Sequence, residues 1–268
     1  MVYRQKTVLR RPAAVCNAAA LTFICLALYA QGREGPNQTP ATPRAIAPMD
    51  ITGYWVSVVV EDWRYRMLPP VNIKNIPAGR GGGGAAQAVP MNAAARKIAE
   101  AWDPAKDEAS GEQCRSYGAG NIMRMPGRIH ITWQDDQTLK LETDAGMQSR
   151  LFHFNAPQSR GGDWQGVSQA TWDSVPGGRG GPQLTGSLKV VTSRLKPGYL
   201  LRNGVPYSNN AIITEYYDRV DEPSGNSYLV ITTTIEDPTY LTQPYLTATH
   251  FRKQADASGW NPTPCTAR

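Results

Sequence analysis

Histidine is the scarcest source of chemistry in this chain, with only His130, His153 and His250. They lie far apart in sequence, so the close His/Cys spacing that announces a zinc site is missing. Three histidines on separate strands would have to converge inside a barrel to bind metal. Independent surface or half-buried imidazoles are the plainer reading, and no metal ligand set or organic cofactor is assigned. Cysteine is also scarce, four in 268 residues, which excludes a disulfide-dense scaffold. No phosphate loop is present, and no glycine-rich turn leads directly from a strand into a helix as a dinucleotide site requires. Ser208 lacks the Gly-x-Ser-x-Gly context of a nucleophile elbow. These absences argue against the common kinase, dehydrogenase and hydrolase classes.

What the chain does have is apolar material for one core: 41% of its residues are hydrophobic, too many for a disordered polymer. Abundant Thr, Val, Tyr and Trp, with 25 glycines and 21 prolines, favour β-structure over helix. The net charge of +6 is concentrated at the start. Residues 1–30 carry Arg4, Lys6, Arg10 and Arg11 and no acid, and without them 24 basic and 22 acidic residues leave +2. A nucleic-acid partner is therefore not expected. The Arg-Gly pieces at 79–84, 160–162 and 177–181 read as surface loops.

The basic Arg4–Arg11 stretch precedes an apolar run, Ala13–Leu28, and small residues follow. That is the layout of a secretory signal. A retained membrane anchor is the rival, but the run is short for a bilayer and Asn17 interrupts it. The expected organisation is a signal over residues 1–30, a proline-rich mobile linker over 31–49, and one domain over 50–268, with no stable membrane insertion after cleavage. Export to a periplasmic or external compartment leaves Cys114 and Cys265 as an even pair in oxidising surroundings. A disulfide is the natural inference, with two free buried thiols as the alternative.

The run from Gly53 to Met67 reads as a strand. A helix is expected over Ala93–Trp102, capped by Asn92 and stopped by Asp103-Pro104. Strands follow at Ile129–Gln134, Leu139–Thr143, Met147–Phe154, Gly166–Trp172, Leu184–Ser193, Ala211–Val220, Tyr228–Glu236 and Leu246–Arg252. Short turns such as Pro223–Asn226 join them. Many strands and one helix imply an all-β fold, an antiparallel β-barrel with a central cavity.

The carboxylates supply the main catalytic candidates. Glu215 alternates with Ile213 and Tyr217 on one strand face, and Arg219 shares it at about 13 Å along the strand. A buried Glu there would serve as general acid or base. Solvent exposure, or pairing with neighbouring strands, is the competing reading. Trp55, Trp63, Trp133, Trp164 and Trp172, with Tyr207, Tyr217 and other tyrosines, fall on or beside strands. They would line a pocket for an apolar or ring-shaped molecule, or simply fill a core.

Several segments resemble a large group of exported bacterial proteins of uncharacterised activity. Asp50-Ile-Thr-Gly-Tyr-Trp55 matches its D-L-S/T-G-x-W opening. Asp163-Trp-Gln-Gly-Val-Ser168 with Trp172, and Leu188–Thr192, match two later strands. Gly204-Val-Pro-Tyr-Ser208 followed by Thr214-Glu-Tyr-Tyr-Asp-Arg219 is similar to its G-x-P-H-S…T-E-R-F-x-R. Ile235-Glu-Asp-Pro-Thr-Tyr240 with Gln243-Pro244 matches I-D-D-P-x-x-Y-T-x-P-W. The resemblance implies a secreted β-domain and brings no reaction. It draws attention to Tyr207, which stands where the group often has His, and to Ser208, Glu215, Arg219 and Asp237. Gly53-Tyr-Trp55 is also similar to the Gly-x-Trp of the first lipocalin strand.

Three functions follow. The first is binding of a small apolar or aromatic molecule by Trp55, Trp164, Tyr207, Ser208, Tyr217 and Asp237. The second is a cofactor-free lyase, hydratase or isomerase using Glu215 and Arg219. The third is a structural or envelope-interaction protein.

Overall fold

The computed structural model describes residues 41–59, 72–75, 89–157, 160–175 and 185–267. The expected signal, the first part of the linker, Trp63 and the glycine-rich pieces at 79–84 and 177–181 lie outside them. The fold described below belongs to the unit Thr42–Arg268.

Eleven strands appear among the described residues: β1 (Gly53–Val58), β2 (Arg128–Asp135), β3 (Thr138–Thr143), β4 (Ser149–His153), β5 (Val167–Val175), β6 (Thr185–Ser193), β7 (Gly198–Tyr199), β8 (Pro206–Tyr207), β9 (Ile212–Asp221), β10 (Ser227–Glu236) and β11 (Tyr245–Lys253). Nine close into a barrel in the order β1-β11-β10-β9-β6-β5-β4-β3-β2, and β7 and β8 form a separate small ladder. The all-β barrel read from the sequence is therefore present. It is mixed rather than purely antiparallel. β4 and β5 run parallel, with Phe152 beside Ser168. β4 finishes at one end of the barrel and β5 begins at the other, the crossover that a parallel pair requires.

Alternation along the strands decides what fills the barrel. On β9, Ile213, Glu215 and Tyr217 are buried and their neighbours are half-buried or exposed. On β10 the same holds for Leu229, Ile231, Thr233 and Ile235. Trp55, Ile131, Leu141, Phe152, Leu188 and Phe251 complete the interior. The barrel is thus packed by side chains through its length, as a small barrel allows.

One end of the barrel is capped. Helix α1 (Ala93–Ala101) starts at Asn92, whose side chain accepts from the Ala95 amide, and buries Ala95 and Ala99. Asp103 and Pro104 do stop α1, but they also begin a second short helix, α2 (Pro104–Ala109), with Asp103 as its N-cap. Ala99, Leu200, Val205, Tyr207, Ile213 and Ile235 form the apolar layer between this cap and the barrel. Gly204 has a positive φ of 82°, and a Cβ there would sit 2.2 Å from the Trp102 ring, so glycine is required for the turn to lie against the indole.

The Cys114–Cys265 disulfide is present, with a Cα–Cα distance of 5.1 Å across a sequence separation of 151. It ties the C-terminal segment to the cap. Thr263 joins the same region by exchanging backbone bonds with Asp144 and Gly146, both at 2.9 Å.

The opposite end, where β1 begins and β2 and β11 finish, carries no helix among the described residues. Thr42–Asp50 lies there instead. The sequence suggests a mobile linker up to residue 49, but this segment is held. The Trp172 indole donates to the Pro43 carbonyl at 2.8 Å. Arg44 pairs with Asp136 at 3.6 Å, and Met49 packs on the core.

Candidate functional site: a charged layer and an aromatic mouth

Glu215 is fully buried and meets Arg150 of β4 in a two-bond fork. Arg150 Nη1 donates to Oε1 at 3.0 Å and Nη2 to Oε2 at 2.6 Å. Nη2 also donates to Thr192 Oγ1 at 3.1 Å, and Thr192 shares a 2.8 Å bond with Ser168. The Tyr217 hydroxyl donates to Glu215 Oε1 at 3.3 Å. Burial opposes the charge on Arg150, but Glu215 and then Tyr217 hold the guanidinium above its ordinary pKa. Burial, then Glu215, push the Tyr217 phenol well up. Both carboxylate oxygens of Glu215 therefore accept from one guanidinium.

Arg219 shares the inward face of β9 with Glu215 but does not meet it. It sits at the uncapped end, where Nε donates to Asp221 at 2.9 Å and Nη1 to the Asp50 carbonyl at 2.6 Å. Ser208 and Asp237 do come together. Asp237 accepts from the Ser208 amide at 2.6 Å, its hydroxyl at 2.7 Å and the Thr239 amide at 3.0 Å. No imidazole joins them in these bonds, and the arrangement pins the chain after β8 to the turn after β10.

Tyr207 is buried in the cap, and its hydroxyl has no hydrogen-bond partner among the described residues. Burial pushes its phenol up. A Cβ on Gly118 or Gly198 would stand 2.3 or 2.5 Å from that oxygen, so two glycines make the slot the ring occupies. Trp164 lies outside the barrel under Lys196, whose Nζ is 4.1 Å from the ring centroid. Trp55 is buried and donates to the Ile51 carbonyl at 2.9 Å. Of the sequence-derived ligand residues, only Tyr217 touches Glu215, and only Ser208 touches Asp237.

The uncapped end gathers a different set. Trp133 on β2, Phe154 just after β4 and Trp172 on β5 are half-buried. Their ring centroids are 5.6 Å (Trp133–Phe154) and 5.4 Å (Phe154–Trp172) apart. Across the same end stand Arg219, Asp221, Ser227 and Lys253, from β9, β10 and β11. Register links the two halves. Trp172 pairs with Leu188, which pairs with Tyr217, two residues before Arg219. That puts the cation about 10 Å around the rim and about 7 Å further along the strand. Lys253 donates to the Thr52 carbonyl and lies 4.5 Å over the Trp55 ring. Burial lowers its pKa, with Asp50 opposing. Asp50 is held below the usual carboxylate value. Burial opposes this, but hydrogen bonds from Thr52 and the charges of Lys253 and Arg219 outweigh it.

Arg150, Phe154 and Lys253 are the residues sequence reasoning missed. Arg150 carried a signal: it shares a strand face with Phe152, and an arginine in step with a core aromatic calls for a buried carboxylate. Among the described residues, no group of three or more His, Cys, Asp or Glu side chains converges as a metal site would need. His130 instead stacks on Tyr54, centroids 3.9 Å apart, on the outside of the barrel. No family model, curated protein or solved structure matches the chain.

Proposed function

We propose that this is an exported small-molecule binder that takes a compact apolar or aromatic molecule at the uncapped mouth of its barrel. The observation that carries this reading is the Trp133–Phe154–Trp172 ladder. Its rings come from inward-facing positions yet remain partly exposed, while the same faces deeper in the barrel are packed shut. Partly wet aromatic rings at the end of a rigid barrel suit a flat apolar ligand. Export is supported by the disulfide, since such bonds persist in oxidising compartments. The resemblance to exported bacterial β-proteins agrees with that placement. The acid–base alternative is weaker, because Arg150 occupies both oxygens of Glu215.

Titration of the mature protein with 2-naphthalenemethanol, followed by tryptophan fluorescence, tests the proposal. Saturable quenching is expected. Replacing both Phe154 and Trp172 by alanine should weaken binding at least about tenfold. Quenching that is linear and unchanged in that variant would remove the mouth as a binding site.

A further inference from the structure

The mouth is amphiphilic, and a segment of the chain already lies across it. On one side are the three rings. On the other, Arg219 and Lys253 face inward from β9 and β11. Thr42–Asp50 crosses from the first to the second. Its Pro43 carbonyl accepts from Trp172, and its Asp50 carbonyl accepts from Arg219. The Asp50 carboxylate lies in the field of both cations.

Among the described residues, neutral oxygens take much of each cation's hydrogen bonding. Lys253 donates to a neutral carbonyl, and its carboxylate neighbours act on it through space. Arg219 spreads its bonds over Asp221, Ser227 and the Asp50 carbonyl. Asp221 is held below its usual value by Ser227 and then Arg219, so it is a settled anion at the outer edge. A ligand that displaced the crossing segment would meet rings on one side. On the other it would meet two cations that had lost Asp50.

Resting on the binding reading above, we infer that the mouth takes an aromatic carboxylate, and that Thr42–Asp50 is an internal competitor whose Asp50 stands where the ligand's anion binds. The ring slides against Trp133, Phe154 and Trp172, and the carboxylate pairs with Arg219 and Lys253. The segment must lift for this, and its hold is modest. The Arg44–Asp136 pair is well exposed, and such pairs contribute little. Trp172 must also give up its bond to Pro43 before its indole edge is free.

The experiment compares 2-naphthoate with 2-naphthalenemethanol, an anion and a neutral molecule of nearly equal shape, on the full mature chain. Naphthoate should bind roughly tenfold tighter at low salt and lose that margin between about 50 and about 500 mM NaCl. Asp50→Asn removes the competing charge and keeps an acceptor for Thr52. It should tighten naphthoate several-fold and naphthalenemethanol by less, since the neutral molecule gains only from the looser segment and not from the freed cations. The double variant R219Q/K253Q should bring the two affinities together, with circular dichroism reporting its fold. Equal affinities in the wild type, or a D50N chain with unchanged naphthoate affinity, would overturn the inference while leaving apolar binding intact. Failure of both probes to bind would remove the binding reading itself. The salt series needs no variant, so the inference stays testable even if the double variant fails to fold.

Discussion

Arg150 and Glu215, 65 residues apart in sequence, close a two-bond fork across the inside of the barrel at 3.0 and 2.6 Å. The pair joins β4 to β9 inside the barrel, with the hydroxyls of Thr192, Ser168 and Tyr217 beside it and hydrocarbon around them. Two charges in such a place gain their attraction against a large desolvation penalty, so the pair fixes geometry more than it adds stability. Removing one partner is a different matter, because the other is left charged and buried. Glu215→Gln should therefore cost about 3–5 kcal/mol. The double change Arg150→Met with Glu215→Leu should cost less than either single change. Urea unfolding curves for the wild type, Glu215→Gln, Arg150→Met, Glu215→Leu and the double variant decide this. A Glu215→Gln loss below about 1 kcal/mol would show that the fork is wet or unformed in solution.

That fork also marks where the sequence stops being legible. The strands were readable because alternation and turn residues are local. Ile213, Glu215 and Tyr217 announce one face of β9, and Asn92 announces the start of α1. The Cys114–Cys265 pairing was readable by counting. The partner of Glu215 was not, because β4 is short and its place in the barrel depends on a parallel crossover. Nothing in Ser149–His153 states direction, although residues 154–166 are long enough for a return. The mouth is harder still. Trp133 lies on β2, Phe154 just after β4 and Trp172 on β5, and only barrel closure makes them neighbours. Residues 42–49 read as linker because they continue the proline-rich stretch that begins at residue 31. The indole that holds Pro43 lies far along the chain.

Tyr207 and the glycines around it give a test with opposite signs. Among the described residues the hydroxyl is buried without a partner, so its loss removes an unsatisfied polar group. Tyr207→Phe should leave stability unchanged or raise it by up to about 1 kcal/mol. Gly198→Ala pushes a methyl to within 2.5 Å of that oxygen and should cost about 1–3 kcal/mol through overpacking. Thermal unfolding of the two variants checks both signs. A destabilised Tyr207→Phe would mean that the hydroxyl holds a bond in solution, through an ordered water or a ligand.

The disulfide joins the cap to the last few residues, so its removal should act locally as well as globally. Replacing both Cys114 and Cys265 by serine should lower stability by about 2–5 kcal/mol. Amide exchange should then rise first around Thr263 and Asp144–Gly146, whose backbone bonds depend on the tethered segment. Uniform protection loss across the barrel would argue that the tail is integral to the core. No change around Thr263 would show that Ala145 and Thr263 stay paired without the tether.

His130 should make stability depend on pH. It stacks on Tyr54, with Trp260 set edge-on to both rings. Glu142 stands 3.7 Å from Nδ1. Burial lowers the imidazole below its ordinary 6.5, Glu142 opposes this, and Lys140 and Lys253 add to the lowering. The unfolded chain then holds the proton more tightly than the folded one. The stability that comes from the neutral ring is complete above 6.5 and is lost as pH falls toward the lower folded value. Between about pH 7.5 and about pH 5.5 the wild-type urea midpoint should therefore fall. His130→Phe keeps a ring against Tyr54 and cannot take the proton. Subtracting its curve removes the pH dependence common to both proteins. A midpoint that falls in the wild type and stays flatter in His130→Phe is the expected result. Parallel curves would mean that His130 has the same proton affinity in both states, and that Glu142 offsets burial completely.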